Sequence, residues 1–166
     1  MPTVALLVIA KEPLPGRAKT RLSPPCSAEQ AADLARAALL DTIDAVARTP
    51  AARRVLVFDG DPTGWRRDGF ELIAQRGDGL GERLAAAFDD VAGPALLVGM
   101  DTPQLTPQLL LDGMHALERP GVDAVLGRAL DGGYWSVGLR RPVAGAFDGV
   151  PMSSKSTWRQ QRARLS

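Results

Sequence analysis

Two hydrophobic patterns alternate along this chain: short uninterrupted apolar runs, and longer stretches in which apolar residues return every three or four positions. Residues 4–10 (VALLVIA) form the first run. Seven residues are too few for a typical helix, and Val and Ile suit a packed sheet, so the run predicts a strand buried on both faces. From 27 to 48 the period changes. Ser27 and Gln30 have capping-box spacing, and Leu34, Ala38, Leu39, Ile43 and Val46 follow at helical intervals, which predicts an amphipathic helix. Residues 54–58 (RVLVF) read as a second strand closed by the turn-forming Asp59-Gly60-Asp61-Pro62, and residues 70–74 as a weaker third. A glycine-rich turn at 77–81 leads into a helix over about 80–91. Residues 94–100 (PALLVGM) contain no polar side chain, so this fourth strand is expected at the sheet centre.

The next helix has clear start signals. Thr106 is the N-cap, Pro107 takes the first helical position, and Leu105 is placed to staple onto Leu110. That helix is expected to reach about residue 117. Strands over 122–126 and 134–139 follow, separated by only seven residues, a spacing that suits an antiparallel pair at a mixed edge of the sheet. A basic helical segment ends at Ser166. Such strand–helix alternation predicts an α/β fold, a three-layer α/β/α sandwich around a mostly parallel, mixed sheet.

Size and charge narrow the functional classes. At 166 residues and 45% apolar, the chain suits one domain, 1–166, with a substantial core. A net charge of +1 argues against a nucleic-acid or membrane footprint. Cys26 is the only cysteine, so no internal disulfide is expected. The N-terminus lacks a basic leader, Lys11 and Glu12 interrupt its apolar run, and no run reaches transmembrane length; the expected location is the cytoplasm.

The chemistry is expected at the C-terminal ends of the strands, where open α/β sheets bind ligands. Lys11, Arg17, Lys19 and Arg21 follow the first strand against a single acid, Glu12, and ask for an anion, phosphate first. The same edge collects Asp59, Asp61, Asp101 and Asp131. A cationic loop beside carboxylates has the composition of a phosphate site with Mg²⁺ or Mn²⁺, and a nucleotide is the simplest ligand needing both. Several sharper motifs fail. Ala18 stands where the phosphate-loop pattern needs glycine, and Glu82 stands where the third glycine of the dinucleotide fingerprint belongs. Asp59-Gly60-Asp61 admits an aspartyl phosphatase or a metal-binding D-x-D reading, but a strand-closing turn is favoured. Asp131-Gly132-Gly133 reads equally well as a hairpin turn or as a functional loop. His115, Cys26, Tyr134, Trp135 and Trp158 read as structural.

Taken together, KEPLPGRAKTRL, QRGDGLGER, VGMDTPQLT, LDGGYWSVGL and FDGVPMSS resemble, in order, the bacterial rSAM/selenodomain-associated transferase family, which is glycosyltransferase A-like. The chain is also similar to 2-phospho-L-lactate guanylyltransferases and, more remotely, to molybdenum-cofactor guanylyltransferases. The resemblance implies a GT-A nucleotide-diphospho-sugar transferase fold. It also implies that Lys11, Gly16, Lys19, Arg21, Gln75, Arg83, Gly132 and Gly133 serve the nucleotide and its phosphates, and that Asp101 and Asp131 act as metal ligands, with Asp131 also a candidate base. Arg128 and Leu130 depart from the pattern, standing where a proline and a polar residue are expected. Relatives continue past the final helix, so Trp158 and Leu165 are expected to leave an apolar patch that favours a homodimer. The activity implied is transfer from a nucleotide-sugar to an unknown small-molecule acceptor. The alternatives are nucleotidyl transfer from an NTP with release of pyrophosphate, and nucleotide binding without turnover.

Overall fold

The central strand is built from the first apolar run, and its alternation sorts the core into two halves. Residues 1–102 and 104–166 are described by the structure, a computed structural model; the Thr-Pro expected to follow Asp101 therefore reaches a residue, Pro103, outside the described ones. Strand β1 (Ala5–Lys11) sends Leu6, Val8 and Ala10 to one face and Ala5 and Leu7 to the other. On the first face they meet α1 (Ala28–Ala47) through Leu39, Ile43 and Val46, and α3 (Pro107–Glu118) through Leu110, Met114 and Leu117. On the second they meet α2 (Leu80–Val91) through Leu84, Ala87 and Phe88, together with Ala146 and Phe147. The expected three-layer sandwich is the architecture observed.

The sheet has six strands in the order β3-β2-β1-β4-β6-β5, the others being β2 (Arg54–Asp59), β3 (Glu71–Ala74), β4 (Ala95–Gly99), β5 (Ala124–Arg128) and β6 (Tyr134–Leu139). Strands β3, β2, β1 and β4 run parallel; β6 is antiparallel to both β4 and β5. The apolar β4 is interior, as its composition demands. Because β6 runs backward along β4, pairing Ser136 with Val98, it begins at the edge where β1, β2 and β4 end. The loop joining β5 to β6 is thereby delivered to the same edge.

Local signals behave as their chemistry predicts. The Ser27 hydroxyl accepts from the Gln30 amide while the Gln30 side chain accepts from the Ser27 amide, and Thr106 Oγ1 accepts from the Leu109 amide. Leu105 and Leu110 are both buried in the same cluster. Leu34 differs from the expected helix face: it is exposed, because the buried stripe of α1 runs through Ala31, Ala35, Ala38, Leu39 and Ile43 beside it. Strand β5 begins two residues later than expected. Val122 closes a turn with its amide on the Arg119 carbonyl, and the Arg140 Nε donates to the Val122 carbonyl at 2.7 Å, so that residue stays outside the ladder.

The final helix, α4 (Thr157–Leu165), covers part of the apolar surface expected at Trp158 and Leu165, both of which stay partly accessible. Leu165 packs against the second half of the core, and the guanidiniums of Arg128 and Arg162 lie 4.9 and 5.5 Å from the Trp158 ring centre. Arg128, out of pattern in the sequence, thus covers Trp158. Among the described residues, no helix is long and apolar enough to cross a membrane.

Leu96 of β4 is fully buried beneath α3, where its side chain lies against Gly113. Leu96→Ala is expected to lower the unfolding free energy by about 2–5 kcal/mol, measured by urea denaturation.

Candidate functional site

The basic loop after β1 is shaped by a few anchors that leave its cations free of its one acid. The Glu12 carboxylate turns toward the β2–β3 loop and accepts from the Asp61 amide at 3.0 Å. Ala18 is buried, its amide bonded to the Leu14 carbonyl, so the side chain that breaks the phosphate-loop pattern is what holds this loop down. Gly16 sits in a turn at a φ of 76° with open space around it. Lys19 takes the left-handed conformation (φ 48°, ψ 40°) at the head of the single 3-10 turn Thr20–Leu22. For a residue with a Cβ this backbone is costly, and such outliers concentrate where geometry serves function. The result is that Lys19 Nζ reaches Asp101 Oδ1 at 2.8 Å. The loop and the end of β4 are joined by that ion pair.

A cavity of about 600 Å³ opens beside it, at the edge where β4 ends and β6 begins. Its charged lining is Arg21, Asp101, Asp131 and Lys155; Tyr134 and Trp135 contribute rings, and Ile9, Leu80 and Leu84 an apolar wall. Charged and hydroxyl side chains set against an apolar wall in one concavity suit a polar small molecule. Asp131 stands on the β5–β6 hairpin loop, closed by the Ala129 amide on the Gly133 carbonyl, so the hairpin-turn reading of this motif holds, and the turn faces the cavity. The Asp131 Oδ1 accepts from the Gly133 amide at 2.9 Å, which leaves Oδ2 for other partners.

The sequence-derived site divides in two. Arg21, Asp101, Asp131 and Gly133 line the cavity, and Lys19 joins it through Asp101. Lys11, Gly16, Gln75, Arg83 and Gly132 do not line it. Lys11 closes β1 next to Asp59 in register. Gln75 Nε2 donates to the carbonyls of Ala10 and Val57, and its Oε1 accepts from Arg83 Nη1. The same Nη1 meets Asp59 Oδ2 at 2.9 Å while Arg83 Nε donates to the Gly77 carbonyl. These side chains tie the ends of β1 and β2 to the start of α2. Asp61 is likewise committed to a turn, its carboxyl held below the ordinary range by hydrogen bonds from Thr63. The strand-closing reading of Asp59-Gly60-Asp61 is the one the geometry matches.

Gly132 was expected to let a ligand approach, and its close neighbour is instead the chain itself. A Cβ there would lie 2.1 Å from the Lys155 carbonyl oxygen, and its φ is 93°. With the Trp158 amide donating to the Gly132 carbonyl at 2.8 Å, this contact seats the segment before α4 on the hairpin loop. Lys155, Ser153 and Ser154 enter the cavity wall by this route. Sequence reading missed Lys155; its only local signal was the PMSS motif directly before it. Tyr134 was read as packing, yet it both packs and lines the cavity, its hydroxyl 3.2 Å from Gln161 Oε1. The fully buried Gln161 in turn donates to the Ala146 carbonyl.

Asp101 and Asp131 supply the hard oxygen donors a divalent ion prefers, and Asp101 already holds one cation, the Lys19 ammonium. Among the described residues, no group of three or more Asp, Glu, His or Cys stands together as a complete cage. The donor set therefore fits an ion that takes its remaining ligands from a phosphate and water.

Residues 42–154 match the family described as "Uncharacterized protein conserved in bacteria (DUF2064)". No curated protein matches the sequence. Among solved structures, the chain is similar to a candidate nucleotide-diphospho-sugar transferase from Desulfovibrio desulfuricans G20, at 29% identity and a TM-score of 0.82, over 99% of this chain and 77% of that one. It is similar to Rv0371c of Mycobacterium tuberculosis H37Rv in complex with manganese, at 19% identity and a TM-score of 0.59, over 98% and 83% of the two chains. It is also similar to a CMP:2-keto-3-deoxy-manno-octonic acid synthetase complexed with CTP, at 12% identity and a TM-score of 0.61, over 98% and 85%. The last two likenesses are of fold. The mixed six-stranded sheet is the GT-A-like arrangement of these neighbours.

Two outcomes follow from the hairpin contact. Gly132→Ala is expected to cost about 2 kcal/mol or more, since backbone must move and the left-handed conformation is strained, as read by thermal unfolding. Burial pushes the Tyr134 phenol from 10.0 up to about 12. It is the only tyrosine, so phenolate absorbance should show half-ionisation near 12 in the folded protein. The unfolded chain ionises first, so stability should fall as pH rises from 10.0 toward about 12.

Proposed function

The chain belongs to the bacterial family DUF2064, and from that premise we propose that it is a metal-dependent transferase that takes its donor group from an activated nucleotide. The observation that carries this reading is the Lys19–Asp101 pair beside the cavity, which sets a cationic loop directly against a carboxylate just after β4. Lys19 and Arg21 hold the donor's phosphate oxygens, and Lys11, outside the cavity lining, adds positive charge at the same sheet edge. Asp101 would hold Mg²⁺ or Mn²⁺, and the ion would neutralise charge on the departing phosphates, while Asp131 serves as the base in preference to a second metal ligand; the manganese complex of the Rv0371c neighbour supports a divalent ion in this fold. A nucleophilic oxygen of the acceptor forms the new bond to the transferred group. The bond to the departing phosphate breaks with its electron pair, and the acceptor's proton passes to Asp131 Oδ2. Such a site works by positioning and charge stabilisation.

A nucleotide-sugar is the preferred donor, supported by the likeness to the Desulfovibrio protein and by the resemblance to the rSAM/selenodomain-associated transferases. Nucleotidyl transfer is the second reading, favoured by the density of positive charge on the loop and by the fold shared with a CTP-bound synthetase.

The test is a thermal-shift panel of nucleotide-sugars and NTPs with and without Mn²⁺, since a ligand that binds only the native state raises Tm. A metal-dependent shift with one nucleotide-sugar is expected. An NTP preference would move the assignment to nucleotidyl transfer, and no response from a folded sample would overturn both. Asp101→Asn should abolish the metal dependence and Asp59→Asn should leave it in place. Lys19 and the metal compete for Asp101, so Lys19→Gln should tighten Mn²⁺ binding in the absence of nucleotide by roughly two- to fivefold, the worth of an exposed ion pair, read by isothermal titration.

A further inference from the structure

The donor reading uses the cations on one wall of the cavity and leaves one on the other wall without a task. Lys155 lines the cavity from the segment before α4, opposite in chain origin to the basic loop and beside Asp131. Among the described residues neither Lys155 nor Arg21 forms an ion pair, whereas Lys19 is already bound to Asp101.

The segment carrying Lys155 is rigidly built. Thr157 is buried, its hydroxyl donating to the Pro151 carbonyl at 2.6 Å and accepting from the Ser154 amide at 3.1 Å. Ser154 and Ser156 join hydroxyls at 3.0 Å, and the Lys155 carbonyl is pressed onto Gly132. Every polar side chain that shapes the turn is thereby turned inward on it. Ser153 and Lys155 are the exceptions: both are exposed, both line the cavity, and Ser153 holds the strained left-handed backbone at a φ of 58°. The backbone that carries the Lys155 ammonium and the Ser153 hydroxyl is thus held on a fixed frame against the hairpin loop that carries Asp131.

We propose that Ser153 and Lys155 form an acceptor subsite, and that the acceptor is a small molecule bearing an anionic group, a phosphate or a carboxylate, close to the oxygen that reacts. This rests on the donor reading of the same cavity. A lone ammonium binds an anion as a compact point charge and accepts either geometry. The chemistry needs such a contact, because an anionic acceptor approaching a site with two carboxylates meets repulsion unless a cation offsets it.

The test is a titration of isotope-labelled protein with inorganic phosphate and, separately, with acetate, followed by amide shifts in two-dimensional NMR. Saturable shifts are expected at residues 131–133 and 153–157, weakened about five- to tenfold by Lys155→Gln, in line with loss of one charge-assisted contact. Arg141→Gln, an exposed cation outside the cavity lining, should leave them in place. A response to phosphate alone identifies a phosphorylated acceptor, and an equal response to acetate identifies a carboxylate. Shifts confined to residues 11–22, or a Lys155→Gln variant that responds like the parent, would overturn the subsite. Lys155 is exposed, so the variant is expected to fold, and its unperturbed spectrum checks this. The donor reading fails separately: it is lost if nucleotides shift neither 11–22 nor 99–101, whatever phosphate does at 153–157.

Discussion

The pairing of β6 backward along β4 is the constraint on which the candidate site depends. Parallel strands alone would place carboxylates from their C-terminal ends at the edge, as β1, β2 and β4 do. Only a strand that starts at that edge can bring a preceding hairpin loop there as well, and the Val98–Ser136 register does this. Asp131 and Asp101 share one cavity because of it. The ladder that enforces the register is buried, with Leu97, Val98, Val137 and Leu139 all nearly inaccessible, so a slip by one residue would turn apolar side chains to the wrong face.

A second dependence runs through Gly132. The hairpin loop is held by the chain's own later segment, whose backbone approaches closer than any side chain would allow. That contact turns residues 153–155 into a cavity wall and, through Tyr134 and Gln161, links the wall to α4. A glycine beside a catalytic candidate invites a ligand-binding explanation. Here the packing partner is protein, and the effect on the site is indirect but larger, since it decides which residues form the far wall.

Charge is distributed with the same economy. Asp59 and Arg83 neutralise each other, and Gln75 caps strand carbonyls, so the β2 side of the edge is closed by internal partners. Lys19 neutralises Asp101 at the opening, with a carboxylate much more exposed than the ammonium, at 61% against 24%. An exposed pair of this kind is worth little in stability and is easily exchanged.

Much of the fold was legible before any coordinates. Uninterrupted apolar runs, the Ser27–Gln30 box and the Thr106-Pro107 start follow from local backbone chemistry, and the elements they mark stand within a residue or two of expectation. Strand β5 moved because Arg140, distant in sequence, captures the Val122 carbonyl. At the candidate site, the sequence placed cations after β1 and an aspartate after the apolar β4, and Arg21 and Asp101 do line one cavity. Which side chains face the cavity was decided only in three dimensions. Gln75, Arg83 and Gly132 found partners within the protein, and Lys155 gained a place through a backbone contact 23 residues from Gly132 in the chain. Local sequence determines residue chemistry and secondary structure because both act over a few neighbours. Assignment of a polar group to ligand or to scaffold depends on which distant partner reaches it first, and that is a property of the folded chain.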